Sequence, residues 1–435
     1  RSGLNVGPPA TGIGATIQSV GDAVFAGVCT AVSFSGDGSS LTGVASTDNI
    51  ITSTASTFAS INATGIVTAT EFIPTEGQLA NRNVIINGAM TVAQRGTSAT
   101  SVGNQNGYGA WPDRFREFLA STTKAGVWTI SQDSESPNGF GFSTKWDCTT
   151  AGTLAADSYG GYEQYIEGFN VQRFAKGTSG AKPGVLSFYV KTNKTGTYAV
   201  EIRDNDNSRM VGGTYTVGDT NWNRYEVAMP ADTTGAWGDD NGSSLWIRWW
   251  LVAGSNFTSG TPRTAWAAGI SDEFLAAGQT VDLSDSTSNE WYITGVQLEV
   301  GSVATPFEHC NYGDELQRCH RYYKLIANNN GGTATESFAL GACNDAAALH
   351  TIFDFEPEMR TTPTADVTTG TNYFSIIETN SGQYSSTAPT SVSSRSSPRH
   401  FELLWPIDGS TGTAGAAGFI YTADNSAWCA FTAEL

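Results

Sequence analysis

Leu245-Trp246-Ile247-Arg248-Trp249-Trp250-Leu251 reads as a β-strand with two different faces. Leu, Ile, Trp and Leu alternate with Trp, Arg and Trp, the period of two that a strand imposes on its side chains. Runs of the same kind recur at 185–191, 197–203, 222–229 and 291–298, each bounded by Gly, Asn, Asp or Pro. Ten of the 12 Trp lie between Trp111 and Trp291, so the largest core belongs to this stretch. With no helical pattern of useful length, residues 81–310 are expected to form a β-sandwich of jelly-roll type.

Working outward, residues 311–327 are expected to connect as one helix. Leu316, Cys319, Tyr323 and Ile326 fall on one face at helical spacing and serve as its packing residues. Asp314 and Glu315 start it and Arg321 and Lys324 end it, the polarity that the helix dipole favours. Residues 328–435 return to strand-like runs at 336–341, 373–378, 400–405, 418–423 and 428–435, joined by Ser-, Thr- and Gly-rich loops. They read as a C-terminal β tip domain.

Residues 1–80 differ in kind. They hold no Lys, Trp or Tyr, and Phe25, Phe34, Phe58 and Phe72 are their only aromatics. Such a segment cannot bury enough apolar surface to fold alone. It contains a repeat, Gly27-Val28-Cys29-Thr30-Ala31-Val32-Ser33-Phe34 against Gly65-Ile66-Val67-Thr68-Ala69-Thr70-Glu71-Phe72, 38 residues on. Repeated strands without a private core suit a stalk in which three chains intertwine, with the four Phe as its shared core. A short trimeric coil seamed by Ile51, Thr54, Phe58 and Ile61, or a disordered linker, are the alternatives. The chain is therefore read as mostly β and trimeric, with stalk, sandwich, helix and tip in that order. It begins at Arg1 without a Met or a leader pattern, and is read as a piece of something longer.

At 435 residues the chain predicts two to four domains. Its formal charge of −18 repels phosphate backbones and anionic lipid surfaces. Nucleic-acid binding is excluded on that ground. No run of 18 apolar residues occurs, so no membrane insertion is expected. The six scattered cysteines (Cys29, Cys148, Cys310, Cys319, Cys343, Cys429) suit buried thiols made in a reducing cell.

Enzyme signals are weak. Four His limit triads and zinc sites, and His-Glu-x-x-His, Gly-x-Ser-x-Gly and Gly-x-x-x-x-Gly-Lys are all missing. His309-Cys310 and Cys319-His320 invite zinc, but Cys319 belongs to the apolar helix stripe and its neighbour points about 100° away. No catalytic residue and no cofactor is assigned. Asp204-Asn205-Asp206-Asn207 starts like a calcium loop, yet Arg209 and Tyr215 occupy its Gly and closing Glu positions. Asp239-Asp240-Asn241 and Asp282 with Asp285 are further oxygen clusters, so a structural calcium in the sandwich stays open and metal ligands stay unassigned. For ligand contact the candidates are Trp246, Arg248 and Trp250 on one strand face. In or beside polar loops of the tip, Tyr384, Arg395, Arg399, His400 and Trp428 join them.

Several stretches also carry a family likeness. Asn83-Val84-Ile85-Ile86-Asn87-Gly88-Ala89-Met90, Ala93-Gln94-Arg95-Gly96 and Trp111-Pro112-Asp113-Arg114-Phe115 resemble the opening of a β-sandwich common in tail fibres of tailed bacteriophages. Ile293-Thr294-Gly295-Val296-Gln297-Leu298-Glu299-Val300-Gly301-Ser302 resembles its close, and a helix at 312–323 is the usual sequel. The turn Gly36-Asp37-Gly38-Ser39 resembles fibre stalks of phages infecting marine bacteria, cyanobacteria (cyanophages) among them. The resemblance covers 20–326 and implies a homotrimeric structural virion protein, made in the bacterial host cytoplasm. It implies attachment to other tail proteins through whatever precedes Arg1. It further implies a carbohydrate-binding-module-like sandwich and adhesion to a host surface glycan or lipopolysaccharide. The alternatives are a fibre-associated polysaccharide depolymerase, which needs only two carboxylates flanking a cleft, and a tail linker without receptor contact.

Overall fold

A computed structural model describes residues 4–6, 15–17, 23–25, 80–104, 106–329, 335–379 and 382–435. The chain divides into two units, 1–72 and 73–435. In the first, Leu4–Val6, Ala15–Ile17 and Ala23–Phe25 pair antiparallel in that order. The repeat at 27–34 and 65–72, and Phe34, Phe58 and Phe72, lie outside the described residues.

The second unit opens with the expected sandwich. One sheet has six strands in the order Asn223–Met229, Gly184–Thr192, Glu290–Val300, Ser143–Thr150, Val127–Asp133 and Ser98–Val102. The facing sheet has seven: Ala267–Ala268, Arg209–Val217, Gly196–Asp204, Ser243–Ala253, Tyr159–Glu167, Arg116–Leu119 and Asn106–Gly107. The strand at 243–253 sits at the centre of the second sheet, between 159–167 and 196–204. Leu245, Ile247, Trp249 and Leu251 point into the shared core, as their alternation requires. Trp128, Trp146, Trp249 and Trp291 are fully buried there. Gly161 lets two strands close, because a Cβ there would stand 2.1 Å from the Trp249 carbonyl oxygen.

Residues 83–90 form no strand; they plug the sandwich with two buried asparagines. Asn83 donates to the Val296 carbonyl (3.0 Å) and accepts from the Leu298 amide (3.1 Å). Asn87 donates to the Val92 and Asp113 carbonyls at 2.8 and 2.9 Å. The likeness motifs thus pack the opening segment 83–90 onto the last strand of the sandwich.

The helix is shorter than its sequence pattern suggests. It runs Tyr312–His320, and the chain turns directly into the strand Tyr323–Asn328. Leu316 and Cys319 pack as expected, with Ile86, Val92 and Tyr322. Tyr323 and Ile326, expected on the same helix face, belong to the strand instead. The physical reason is pairing: Tyr323 to Asn328 bond with Trp428–Thr432, and aromatic and β-branched residues favour that sheet over a fourth helical turn.

The C-terminal part has two sheets around one core. The first is Tyr323–Asn328, Trp428–Thr432, Thr364–Val367. The second runs Gly382–Ser386, Phe374–Glu378, Ala417–Thr422, Ser337–Cys343, Ala348–Asp354, His400–Pro406, Thr390–Ser391. Leu349, Phe374, Leu403, Trp405, Ile420 and Phe431 fill the space between them. The final run is indeed tied into a sheet, as the middle strand of three.

Cys148, Cys310, Cys319, Cys343 and Cys429 are free thiols, and all but Cys310 are buried. Among the described residues no helix is long and apolar enough to cross a membrane.

Candidate functional site

The outer face of the seven-stranded sandwich sheet carries the expected strand platform, and tertiary packing has closed it. Arg116, Glu163, Arg248 and Glu201 stand side by side on four neighbouring strands. Arg116 pairs with Glu163 at 3.1 Å, Glu163 pairs with Arg248, and Arg248 reaches Glu201 at 3.6 Å. Both carboxylates are fully buried. Arg248 is therefore a rung of a neutralised charge ladder, not a free cation.

Trp246 stacks on Tyr165 from one flanking strand, with 4.4 Å between ring centres and 14° between planes. Arg203, from the strand on the other side, lies 4.7 Å from the same ring. Tyr165 and Arg203 thus pack on the indole from the two neighbouring strands and leave it half-buried. Trp250 is 2% exposed, packed with Phe118, Leu275 and Ala276 under the segment 255–277. The sequence could not show this cover, because it comes from a loop with no periodicity of its own.

The tip candidates also separate. Tyr384 packs against the C-terminal core. Arg395 pairs with Glu402 (3.1 Å), Arg399 with Glu358 (3.0 Å) and His400 with Asp354 (2.6 Å), all at the surface. Trp428 instead enters a cleft between two parts of the fold.

That cleft, of about 400 Å³, lies where the sandwich meets the three-stranded sheet. Gln94, Arg95, Tyr108, Tyr323, Asn328, Asp366, Ser426 and Trp428 line it. Trp428 is 44% exposed. Its indole Nε1 donates to Asp366 Oδ1 (3.3 Å) and its backbone amide to Thr368 Oγ1 (2.9 Å), which fixes the ring. Opposite strand pairing sets Asn328 beside it.

The other wall comes from residues that sequence reading assigned only by likeness. Gln94 mimics a further strand, donating to the Tyr323 carbonyl (2.9 Å) and accepting from the Leu325 amide (3.2 Å). Arg95 lies flat on Tyr323 at 3.6 Å and 5.3 Å from Tyr108. Glu434 (3.2 Å) and Asp113 (3.8 Å) neutralise it. Burial pushes the Asp113 carboxyl up to about 6, against the opposing pull of Arg95. A half-exposed indole, a tyrosine, one carboxylate and several amides can hold a ring that has an apolar face and a hydroxyl rim.

Two of the oxygen clusters considered for calcium, at Asp204 and at Asp282 with Asp285, are engaged by other groups. Asp204 and Asp232 face the Lys176 ammonium at 2.6 and 3.2 Å, and the Thr234 and Gly235 carbonyls accept from it at 2.8 and 2.7 Å. Trp237 and Trp266 close the cage, 5.5 and 5.2 Å from the nitrogen. Asp285 accepts from Lys194 and Asn289, and Asp282 from Ser284. Among the described residues no three His, Cys, Asp or Glu side chains converge as metal ligands.

No family model matches the chain, and no curated protein matches it in sequence. Among solved structures it is similar to the enzymatically active domain of tailspike protein 4 from bacteriophage CBA120, at 12% identity and TM-score 0.27. That match covers 50% of this chain but only 21% of the tailspike domain. It is also similar to a putative sugar binding protein of Bacteroides thetaiotaomicron (12% identity, TM-score 0.27, 51% and 100% covered). A carbohydrate-binding module of the CBM4 type matches at 12% identity and TM-score 0.25, with 49% and 98% covered.

Proposed function

We propose that the chain is the distal part of a phage tail fibre, a homotrimeric adhesin that holds a neutral host-surface glycan in the junction cleft. The observation that carries this reading is Trp428: an indole 44% exposed, anchored by Asp366, in a cleft lined also by Gln94, Arg95, Tyr108, Tyr323 and Asn328. A pyranose offers C–H bonds to such a ring and hydroxyls to the polar rim. The −18 charge disfavours anionic sugars unless a divalent cation bridges them. Binding without hydrolysis is part of the proposal. Among the described residues Asp366 is the one carboxylate lining this cleft, whereas glycoside hydrolysis takes a pair.

The test is titration of the full chain against purified neutral and acidic surface polysaccharides, with the saccharide analysed for shortening afterwards. Saturable binding to a neutral glycan of unchanged length is expected. Binding that survives Trp428→Ala removes the cleft, and shortened product removes the adhesin reading.

A further inference from the structure

The outer face of the seven-stranded C-terminal sheet is apolar where it should be wet. Ile377, Phe419, Leu340 and Ile352 form one cross-strand row on four adjacent strands. Leu340 is 78% and Ile352 67% exposed. Contiguous apolar surface of this kind marks a protein contact. A sugar does not suit it, since the row is aliphatic apart from Phe419 and offers no hydroxyl-binding rim among its own side chains.

Charge selects the partner. Residues 328–435 hold eleven Asp and Glu, no Lys and only Arg360, Arg395 and Arg399. Arg360 is spent inside, donating to the carbonyls of Asn241, Ala433 and Glu434. The two remaining arginines and both histidines of the segment lie on or beside this face, each against a carboxylate. His350 (2.8 Å) and Arg395 (3.1 Å) hold Glu402, and His400 holds Asp354 at 2.6 Å. Arg399 holds Glu358 at 3.0 Å. Elsewhere, two copies of so acidic a chain would bring like charges together. Here Arg395 neutralises Glu402, the residue opposite Ile352, so the apolar centre can meet its own copy with that acid compensated.

We propose that this face, centred on Leu340 and Ile352, is where copies of the chain meet one another. The inference rests on the homotrimer reading and gives it a surface outside residues 1–80. Hydroxyl-radical footprinting of the full chain, run beside its solution mass, tests it. In a sample whose mass is a multiple of one chain, Leu340 and Ile352 should oxidise on the order of tenfold more slowly than Val303, which is 74% exposed. Leu340→Lys with Ile352→Lys should raise the dissociation concentration by roughly tenfold or more, while Val303→Lys should not. If Leu340 reacts as fast as Val303 in a multiple-mass sample, the proposal falls and the homotrimer reading stands. Protection at single-chain mass also overturns it, because the cover is then the chain's own. Full reactivity at single-chain mass overturns both.

Discussion

Arg114 and Glu434 form a buried ion pair across 320 residues of sequence, at 1% and 7% side-chain exposure. Arg114 lies on the Tyr322 ring at 3.4 Å and donates to the Tyr165 carbonyl (2.9 Å). Its backbone φ of 72° is unusual for a residue with a Cβ. One guanidinium thus joins the sandwich, the strand start and the last strand's extension. Removing one partner of such a pair leaves a buried charge. Glu434→Ala should cost roughly 3–5 kcal/mol in urea unfolding. The Arg114→Ala, Glu434→Ala double variant should lose clearly less than the sum of the singles. Additive losses would mean that the two side chains do not stabilise each other.

Stability should fall as pH rises through neutrality because of Glu117. Its side chain is 1% exposed, with one carboxyl oxygen unpartnered, and burial pushes the group up to about 8. A folded-state value above the unfolded one means that the stabilising contribution is complete below about pH 4.3 and is lost as pH climbs through about 8. Glu117→Gln should therefore gain on the parent from pH 5 upward, by up to a few kcal/mol, since each tenfold change in proton affinity on folding is worth about 1.4 kcal/mol. Chemical denaturation at pH 5 and pH 9 checks this. A difference that does not grow with pH removes Glu117 as the cause.

Lys176 acts as an internal cation for the sandwich. Replacing it by Met leaves the buried Asp204 without a cation, while Asp232 keeps Arg209 at 2.8 Å, at a cost of roughly 3–5 kcal/mol. Two carboxylates and two carbonyls are hard-oxygen ligands of the kind calcium takes. Millimolar calcium should therefore raise the melting temperature of the variant more than that of the parent. Equal changes in the two proteins would show that the cage does not accept a metal.

Trp246 and Trp428 should part under mutation. Trp246→Ala removes a ring clamped between Tyr165 and Arg203 and should lower stability by roughly 3 kcal/mol without touching glycan affinity. Trp428→Ala should leave melting nearly unchanged and weaken glycan binding by about tenfold or more. Calorimetry of both variants decides, and a reversed pattern would return the site to the strand face.

The sandwich, the apolar side of the strand at 243–253, the burial of Leu316 and Cys319 and the capture of the last strand were all legible in the sequence. Each is written by local rules: a period of two, a helical stripe, a turn residue. What lies opposite a residue was not legible. The pattern that marked Trp246, Arg248 and Trp250 as one face was correct, but a loop at 255–277 and two flanking strands decide whether that face meets water. The same holds for Tyr323, whose helical spacing competed with a partner strand more than 100 residues downstream, and for the cleft, assembled from 94–110, 323–328, 366 and 426–428. Periodicity is a property of one segment, fixed by backbone geometry. Exposure, neutralisation and clefts belong to pairs of segments, and only the folded chain brings those together.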